Sequence, residues 1–379
     1  MDLNEIRKDI DAIDDQIVKL LEQRSQLAVD VAKYKKEHNM QVMQQGREQF
    51  IIDRIRDAVC DEMKNSAEIT FTTIMDLSKC RQHHLLTEKR DFHIHKPMSG
   101  RPLAATVTKG SYSAVACDRF FGGKCDVTYV KHFEDVFEMV EKGEVDYGVL
   151  PLVNSTAGDV TATYDLMGKH NFYICRTLDV HLSHVLAAKK GTKLSDVKNV
   201  FSHEMAIRQC SEFISENGLN PIEASTTAKG AQIVAKTDET DCAAICSEFC
   251  AEMNGLEILA ENISDIKDNY TRFILISKRL EVTDDANVIS LSLTLPHTPG
   301  SLYRLLTRFS YCGLNLSRIE SKPMPSSFAD IKDDAFDFIF YLDFIGSIRN
   351  ESVVKLLNNL EDEMKYYRFL GNYGNMSEQ

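Results

Sequence analysis

Apolar side chains follow one regular pattern near the start of the chain, with a single interruption at residue 24. They recur at alternating intervals of three and four residues, the spacing of one helix face in a coiled-coil-like seam. The positions are Leu3, Ile6, Ile10, Ile13, Ile17, Leu20, Leu27, Val31 and Tyr34. The pattern therefore predicts one long helix over Leu3–His38 that ends near Asn39.

Arg24 interrupts this apolar stripe with a positive charge. Because an unpaired buried charge is costly, we expect an anion to bind there. Lys35 lies on the same flank, about 16 Å farther along the helix, so both cations could hold one anion. Arg7 is about 25 Å from Arg24 along the helix axis, by the rise per residue of an α-helix. We therefore expect it to reach the pocket of a second copy in a dimer. The alternative is that these cations are simply solvated.

A second stripe indicates which residues would face such an anion. Its members alternate at intervals of four and three residues: Phe71, Met75, Ser78, Gln82 and Leu85. Ser78 and Gln82 place polar groups in an apolar stripe, where buried polar groups need partners. A polar ligand between helices would supply them. We expect a second helix from Gly46 to about Met63 and a third from about Ser66 to Leu86.

Residues 1–92 resemble the all-helical chorismate mutases in these charged and polar positions and their spacing. The resemblance implies a domain of three helices, an intertwined helical dimer, and a concerted rearrangement without a cofactor. Gln44 stands where relatives often carry an acid, and its amide would bind the substrate by accepting from a hydroxyl. The implied catalytic residues are Arg7, Arg24, Lys35, Arg47, Glu48, Ser78 and Gln82.

From Leu103 onward, short apolar strands alternate with helices, which is typical of an α/β fold with two lobes and a cleft. Val145–Leu150 is predicted to be a strand that runs into a helix N-terminus near Pro151–Gly158, suited to a carboxylate. Ser202 is expected to cap a helix that continues through Phe213. Thr271 is expected to begin another strand.

This middle region, residues 103–279, resembles prephenate dehydratase, whose fold is a two-lobed α/β fold of the periplasmic-binding-protein type. The matching motifs are Lys109–Ser113, Asn154–Gly158, Ser202-His203, Ser225-Thr226 and Thr271-Arg272-Phe273. The resemblance implies that Thr271 is catalytic and donates to the departing hydroxyl of prephenate, since hydroxide is a poor leaving group at neutral pH. The implied substrate-binding residues are Ser111, Asn154, Ser155, Thr156, Ser202, Ser225, Thr226, Arg272 and Phe273.

Three positions depart from the dehydratase pattern. Val153 stands where the family usually has a glutamate, Met205 where it usually has a glutamine, and Thr108 where it usually has proline or an acid. Apolar groups at the first two positions remove hydrogen bonds from a polar cleft. Two functions therefore stay open: a bifunctional enzyme, or a mutase fused to an impaired dehydratase-like domain that only senses an amino acid.

After the acidic connector Glu281–Ala286, residues 287–373 follow a βαββαβ order, which predicts a ferredoxin-like α+β domain. Its first helix is expected over Leu302–Tyr311 and closed by Gly313. The region resembles the ACT regulatory domain. The resemblance implies that L-phenylalanine binds two motifs and inhibits the enzyme. The first is Gly300-Ser301-Leu302. The second, Glu320-Ser321-Lys322-Pro323, is expected to end the neighbouring strand and to lie against the same turn across a domain dimer. The whole order resembles bifunctional enzymes of phenylalanine biosynthesis, an isomerase and a lyase in one chain.

Charge and composition limit the classes of molecule that the protein is expected to bind. A net charge of −13 argues against nucleic acid, so anionic substrates must be drawn by local cations. We see no signal peptide and no apolar run long enough to span a bilayer, so we expect a cytosolic protein without a membrane partner.

Cysteine and histidine spacing gives little sign of a metal site, and no metal or cofactor is expected. The ten cysteines show no Cys-x-x-Cys pair. Cys242, Cys246 and Cys250 recur every four residues, which predicts one buried stripe on a helix. The histidines expected on solvated loops are His83, His84, His93 and His95.

Overall fold

The computed structural model describes residues 2–38, 45–86, 90–156, 158–324, 328 and 338–376, so Gln44 lies outside the described residues. The chain forms two compact units. One contains Met1–Phe92, Ile289–Met324 and Phe328–Phe369, and the other contains His93–Val288 and the chain from Leu370 onward. The division into three domains at the residues expected from the sequence stays a prediction.

The start of the first unit is helical, as predicted. Its helices are α1 (Leu3–Glu37), α2 (Gln45–Asp57) and α3 (Lys64–Leu86). The predicted end of the second helix is wrong, because α2 stops at Asp57 and a single 3₁₀ turn over Asp61–Met63 precedes α3. Neither Gly nor Pro marks this break, and the apolar repeat continues through Val59, so periodicity alone could not locate it.

The apolar stripe of α1 is exposed in the single chain. Ile13 is 56% exposed, and Leu20 and Leu27 are each 63% exposed. The buried residues of α1 are instead Ala28, Ala32 and Lys35.

The second unit alternates strands and helices. Its strands are β1 (Leu103–Val107), β2 (Asp126–Val130), β3 (Tyr147–Asn154), β4 (Gly158–Asp159), β5 (Tyr173–His181), β6 (Val185–Ala188), β7 (Asn199–Ser202), β8 (Asn220–Glu223), β9 (Cys242–Cys246), β10 (Glu257–Ala260) and β11 (Tyr270–Ser277). Its helices are α4 (Tyr112–Phe121), α5 (Phe133–Lys142), α6 (Thr161–Met167), α7 (Glu204–Gln209), α8 (Ser211–Glu216), α9 (Thr227–Lys236) and α10 (Glu248–Met253).

Two sheets confirm the two predicted lobes of this unit. One sheet has the order β2-β1-β3-β11-β5, with β4 paired to β3, and the other has the order β10-β6-β9-β7-β8. The chain passes between the lobes twice, from β5 to β6 and from β10 to β11. Because β11 returns to the first lobe and lies antiparallel between β3 and β5, it carries Thr271 next to Asn154 on β3.

Three local predictions in this unit are wrong. No helix follows Leu150: β3 continues to Asn154, with Pro151 tolerated beside a bulge in the pairing with β11, and α6 begins only at Thr161. Ser202 does not cap a helix; it ends β7 and its hydroxyl donates to the carbonyl oxygen of Ile245 at 2.6 Å.

His203 takes the cap position instead, where its Nδ1 accepts from the backbone N–H of Met205 at 3.2 Å. The third error concerns the cysteines. Cys242 and Cys246 lie on strand β9 rather than on a helix, although both are buried, as is Cys250 on α10.

The C-terminal region has the predicted βαββαβ order. Its elements are β12 (Val288–Thr294), α11 (Ser301–Tyr311), β13 (Leu316–Pro323), β14 (Phe338–Ile345), α12 (Glu351–Glu363) and β15 (Tyr367–Met376). The sheet order β13-β14-β12-β15 is ferredoxin-like. The expectation that Glu320–Pro323 ends the strand next to the Gly300 turn is wrong, because β14 separates β13 from β12.

No helix within the described ranges is long and apolar enough to cross a bilayer.

Candidate active sites

The first candidate site lies where α3 packs against α1. Arg24 Nη1 donates to Ser78 Oγ at 2.6 Å and to the carbonyl oxygen of Ile74 at 3.4 Å. The Ser78 hydroxyl in turn donates to the same carbonyl oxygen at 2.8 Å. Burial lowers the pKa of Arg24, but a guanidinium stays charged at neutral pH. The arrangement presents a fixed positive charge between two helices.

Lys35 is the buried cation of the same site, only 9% exposed. Burial lowers its pKa, and the negative charge of Glu48 on α2 acts in the opposite direction. An anionic ligand beside Lys35 would likewise favour its charged form. Gln82 is also buried, and its Oε1 has no hydrogen-bond partner among the residues that the structure describes.

Lys79 connects Glu48 to α3, and sequence reasoning missed it. Its Nζ lies 3.1 Å from Glu48 Oε2 and 2.8 Å from Asp76 Oδ1. Burial would lower the pKa of Lys79, but hydrogen bonds and charge attraction from Asp76 and Glu48 outweigh it and raise that pKa. The Asp76–Lys79 spacing of three residues was the available signal, since such pairs are neighbours on a helix.

Two predicted residues do not join this cluster in the single chain. Arg7 is exposed on the first turns of α1. Arg47 is also exposed, with its guanidinium carbon 5.2 Å from the centre of the Phe50 ring. The single chain therefore brings Arg24 to Ser78, and Lys35 into the field of Glu48, but leaves Arg7 and Arg47 outside.

The second candidate site is a buried hydrogen-bond network around Thr271. Asn154 Nδ2 donates to Thr271 Oγ1 at 2.9 Å and to Asn269 Oδ1 at 2.9 Å. Asn154 Oδ1 accepts from the Thr156 backbone N–H at 3.0 Å and from the Thr156 hydroxyl at 2.8 Å. Because Nδ2 can only donate, Thr271 Oγ1 must accept, and the threonine proton is available to another acceptor.

Other predicted dehydratase residues hold the backbone instead. Ser155 Oγ accepts from the backbone N–H of Tyr270 at 2.9 Å. Ser111 caps α4 and Thr226 caps α9, each through its hydroxyl oxygen, while Ser225 is exposed directly before that second cap. These contacts place loop ends around the lobes, and a substrate role for these residues stays a prediction.

The two residues after Thr271 have different surroundings. Arg272 forms a two-pronged ion pair with Asp179, with both N–O distances at 2.7 Å. Burial would raise the pKa of Asp179, but this pairing outweighs it and lowers that pKa. Phe273 is 2% exposed and belongs to the hydrophobic core of the first lobe. Phe273 is therefore a packing residue of this core, and a substrate contact by its ring stays a prediction.

A second polar network in this unit was also missed from the sequence. The Tyr112 hydroxyl donates to the Ser183 carbonyl oxygen at 2.8 Å and lies 3.2 Å from His184 Nδ1. His184 Nε2 lies 3.1 Å from Gln209 Oε1. Burial lowers the pKa of His184 despite the bond to Gln209, so this histidine is neutral at pH 7. The three side chains of this network, those of Tyr112, His184 and Gln209, are far apart in sequence, so no local motif indicated it.

A third candidate site surrounds the start of α11. Gly300 adopts a left-handed conformation with φ of 81°, which favours glycine, and precedes Ser301 at the helix start. Thr298 Oγ1 and Ser301 Oγ lie 2.8 Å apart, and Arg304 Nη2 donates to both, at 3.2 and 3.1 Å. Ser301 lines a cavity of about 820 Å³. A separate cavity of about 540 Å³ is lined by Leu295–Tyr303, Phe338 and Phe340.

The second predicted effector motif lies on edge strand β13. There Lys322 pairs with Glu320 at 3.4 Å.

An ion cluster joins α3 to α11 and α12, which corrects the prediction that His83 lies on a solvated loop. His83 on α3 places its Nε2 2.6 Å from Glu363 Oε1, and Arg308 pairs with the other oxygen of Glu363. Burial would raise the pKa of Glu363, but His83 and Arg308 outweigh it and lower that pKa to about 2. His84 also lies on α3.

Comparison with known proteins matches two regions of the chain to family models. The chorismate mutase type II model matches residues 6–83, and the prephenate dehydratase model matches residues 107–281. The bifunctional chorismate mutase/prephenate dehydratase of Aquifex aeolicus is 30% identical over 98% of this chain and 98% of its own. Its counterpart in Neisseria gonorrhoeae is 26% identical over 97% and 95% of the two chains.

A solved structure adds a bound amino acid to this comparison. The prephenate dehydratase of Arthrobacter aurescens in complex with L-phenylalanine is 31% identical, with a TM-score of 0.64. The match covers 72% of this chain and 89% of that chain.

Proposed function

Because the chain belongs to the family of bifunctional chorismate mutase/prephenate dehydratases, we propose that two separate sets of its side chains carry the two reactions. The enzyme rearranges chorismate to prephenate and converts prephenate to phenylpyruvate, two steps of phenylalanine biosynthesis. The amino-acid sensor without dehydratase chemistry has less support, because the match to a bifunctional relative extends over 98% of both chains. A cytoplasmic location stays a prediction.

The mutase reaction is a concerted rearrangement, so catalysis comes from holding the dicarboxylate compact and stabilising charge on the breaking ether oxygen. Arg24, fixed by Ser78, binds a carboxylate. Lys35 and Gln82 are buried and donate to the ether oxygen. Glu48, held by Lys79, and Arg47 bind the ring hydroxyl and frame the pocket. The substrate's two negative charges offset the cost of burying Lys35 and of partly burying Arg24.

A second copy of the chain completes this pocket in our proposal. The apolar stripe of α1 is exposed along its length, and a contiguous apolar face of this kind marks an interface. Pairing two such helices would cover both stripes and carry Arg7 of one copy towards Arg24 of the other. The functional unit is therefore a homodimer or a larger homo-oligomer.

The dehydratase reaction needs a proton at the departing hydroxyl. Thr271 donates that proton while the ring carboxylate leaves as carbon dioxide, and the electrons of the broken C–C bond complete the aromatic ring. The Thr271 oxygen then takes up one proton from solution, which restores its hydroxyl. Prephenate dianion and one proton thus give phenylpyruvate anion, carbon dioxide and water. Asn154 supports this role because its amide occupies a lone pair of Thr271 Oγ1 and leaves the hydroxyl proton free. That Val153 and Met205 weaken this activity stays a prediction.

The start of α11 is the proposed site of L-phenylalanine as a feedback inhibitor. Backbone groups at Gly300, Ser301 and Leu302 border the cavity of ≈ 540 Å³, so they can meet the ammonium and carboxylate of an amino acid. Phe338 and Phe340 line the same cavity and offer an apolar slot for the ring. The motif Glu320–Pro323 lies on edge strand β13, from which it would reach this turn across a dimer. This makes the C-terminal region an ACT-type regulatory domain.

The full-length match to bifunctional relatives is the observation that carries the function. Incubating the pure protein with chorismate tests it. We expect chorismate to disappear and phenylpyruvate to accumulate, with prephenate as a transient intermediate. Accumulation of prephenate alone would favour the sensor, and no loss of chorismate would reject both functions.

A further inference from the structure

We propose that Asn269 is a positioning residue of the dehydratase site: it holds the Asn154 amide so that Asn154 donates to Thr271, and the Thr271 proton is thereby directed at the departing hydroxyl. This inference rests on the proposed role of Thr271. Asn269 lies two residues before Thr271 and is 1% exposed, while Asn154 is 8% exposed and Thr271 6% exposed. All three polar side chains are therefore nearly removed from water.

The backbone of Asn269 is fixed independently of its side chain. Its carbonyl oxygen accepts from the backbone N–H of Leu182 at 2.7 Å, next to the end of β5. The side-chain oxygen Oδ1 accepts from Asn154 Nδ2 at 2.9 Å. Thr156 Oγ1 lies 3.3 Å from the same oxygen, but its single proton goes to Asn154 Oδ1 at 2.8 Å. A change of the Asn269 side chain should therefore alter the hydrogen bond to Asn154 and leave the strand pairing in place.

The hydrogen atoms of Asn154 Nδ2 show why Asn269 matters. This nitrogen carries two hydrogens and faces three acceptors: Asn269 Oδ1 and Thr271 Oγ1 at 2.9 Å, and the Tyr270 carbonyl oxygen at 3.2 Å. The two shorter contacts use both hydrogens. On the other side of the amide, Oδ1 accepts from the Thr156 backbone N–H, so the two ends of the amide cannot exchange places.

Removing Asn269 Oδ1 leaves one of these buried hydrogens without its acceptor. A buried donor without an acceptor is costly, so the amide is expected to turn towards the Tyr270 carbonyl oxygen and lengthen its bond to Thr271. The Thr271 hydroxyl could then donate its proton to an acceptor in the protein instead of to the substrate. Because loss of a directly acting donor typically costs about 10²–10³ in rate, an indirect loss should lower kcat about 10- to 100-fold. KM should change little, since Asn269 contacts other side chains rather than substrate.

Steady-state kinetics on prephenate with the full chain test this inference. Asn269→Leu removes the acceptor at similar volume, whereas Asn269→Asp keeps an acceptor oxygen. We expect kcat to fall about 10- to 100-fold in the first variant and to stay within about 5-fold of wild type in the second, with KM within about 3-fold in both. Chorismate turnover by the same preparations reports that the rest of the chain is folded.

A double variant separates positioning from a general structural role. If Asn269 acts through Asn154, Asn154→Ala with Asn269→Leu should be no slower than Asn154→Ala alone. Asn372 offers a matched control, since it is fully buried in the same unit and donates to the Val288 carbonyl oxygen at 2.9 Å. Asn372→Leu should leave kcat for prephenate unchanged.

Several outcomes would overturn the inference: a normal kcat in Asn269→Leu, a loss of more than about 10-fold in Asn269→Asp, or losses that multiply in the double variant. If Asn269→Leu does not fold, the Asn269→Asp result decides alone. Thr271→Val, measured alongside, distinguishes failure of the proposed catalytic role of Thr271 from failure of the proposed positioning role of Asn269. Full activity in Thr271→Val would reject the proposed role of Thr271, whereas its loss together with a normal Asn269→Leu would reject only the positioning role.

Discussion

The guanidinium of Arg24 on α1 donates to the hydroxyl oxygen of Ser78 on α3, with 2.6 Å between Nη1 and Oγ. Each residue places a polar group in a mainly apolar helical stripe. Their contact shows that the two interruptions lie at the same level of the helix pair. A charge held this way keeps its position before substrate arrives, which is the condition for electrostatic catalysis.

Ser78→Ala should weaken the mutase reaction because Arg24 loses its short hydrogen bond. We expect kcat/KM for chorismate to fall about 10-fold, less than the 10²–10³ expected for Arg24→Ala, which removes the charge itself. Initial rates of chorismate loss check this. Lys33→Ala is a matched control, because Lys33 is an exposed cation on the same helix, paired only loosely with Asp30 at 3.9 Å. Equal rates in Ser78→Ala and wild type would contradict the prediction.

Subunit mixing tests whether Arg7 crosses between copies. Arg7→Ala and Arg24→Ala chains should each be inactive as mutases. After mixing and exchange, mixed dimers should regain one intact pocket of two, because one chain supplies Arg7 and the other supplies Arg24. Chorismate turnover in the mixture should then rise well above either parent. No recovery, with exchange verified by mass, would place Arg7 in the pocket of its own chain or outside it.

Periodic features of the sequence predicted the helices of the first unit and the βαββαβ order of the C-terminal region, because both depend on local spacing. The elements that were predicted wrongly depend on contacts with residues far along the chain. Ser202 has the right chemistry for a helix cap, yet its hydroxyl binds the Ile245 carbonyl oxygen on β9, far along the chain. Cys242 and Cys246 lie on a strand that is buried along its whole length, where an apolar run cannot distinguish strand from helix.

The motifs indicated the proposed reacting residues but not the residues that hold them in position. Thr271 and Asn154 belong to quoted motifs, whereas Lys79 and Asn269 were missed because their roles arise only when α2 meets α3 and when β11 returns beside β3. Phe273 also lies inside a motif, yet its ring packs in the hydrophobic core. A motif therefore indicates the region in which a site lies, whereas tertiary contacts determine the role of each side chain.

Phenylalanine binding tests the C-terminal site. Gly300→Asp should abolish binding, because a side chain at φ of 81° is strained and its carboxylate would repel the carboxylate of the ligand. Titration calorimetry on the whole chain measures this. Ser310→Ala is a control, since Ser310 is exposed on α11 and does not line the cavity. Equal binding by Gly300→Asp and wild type, or no binding by wild type, would reject the site.

Acid should destabilise the ion cluster of Glu363. Its folded-state pKa of about 2 lies below the ordinary value of 4.5, so its contribution to the free energy of unfolding is present above about pH 4.5 and is lost as pH falls towards 2. Between pH 5 and 3, wild type should lose about 2 kcal/mol more than Glu363→Gln. Urea unfolding at both pH values measures the difference.

Glu361→Gln is the control for this experiment, because Glu361 is exposed on the same helix. It should follow wild type at both pH values. A wild-type loss equal to that of Glu363→Gln would show that the cluster with His83 and Arg308 does not hold the carboxylate charged.

Prephenate turnover by Thr271→Val, compared with wild type in the same full-length chain, tests most directly that one chain carries two separate active sites. We predict that wild type forms phenylpyruvate from prephenate and that this rate is at least about 10²-fold lower in Thr271→Val. Both proteins should convert chorismate to prephenate equally fast. Lys35→Ala should show the reverse pattern. Phenylpyruvate formation by Thr271→Val at the wild-type rate, or none by wild type, would contradict the account.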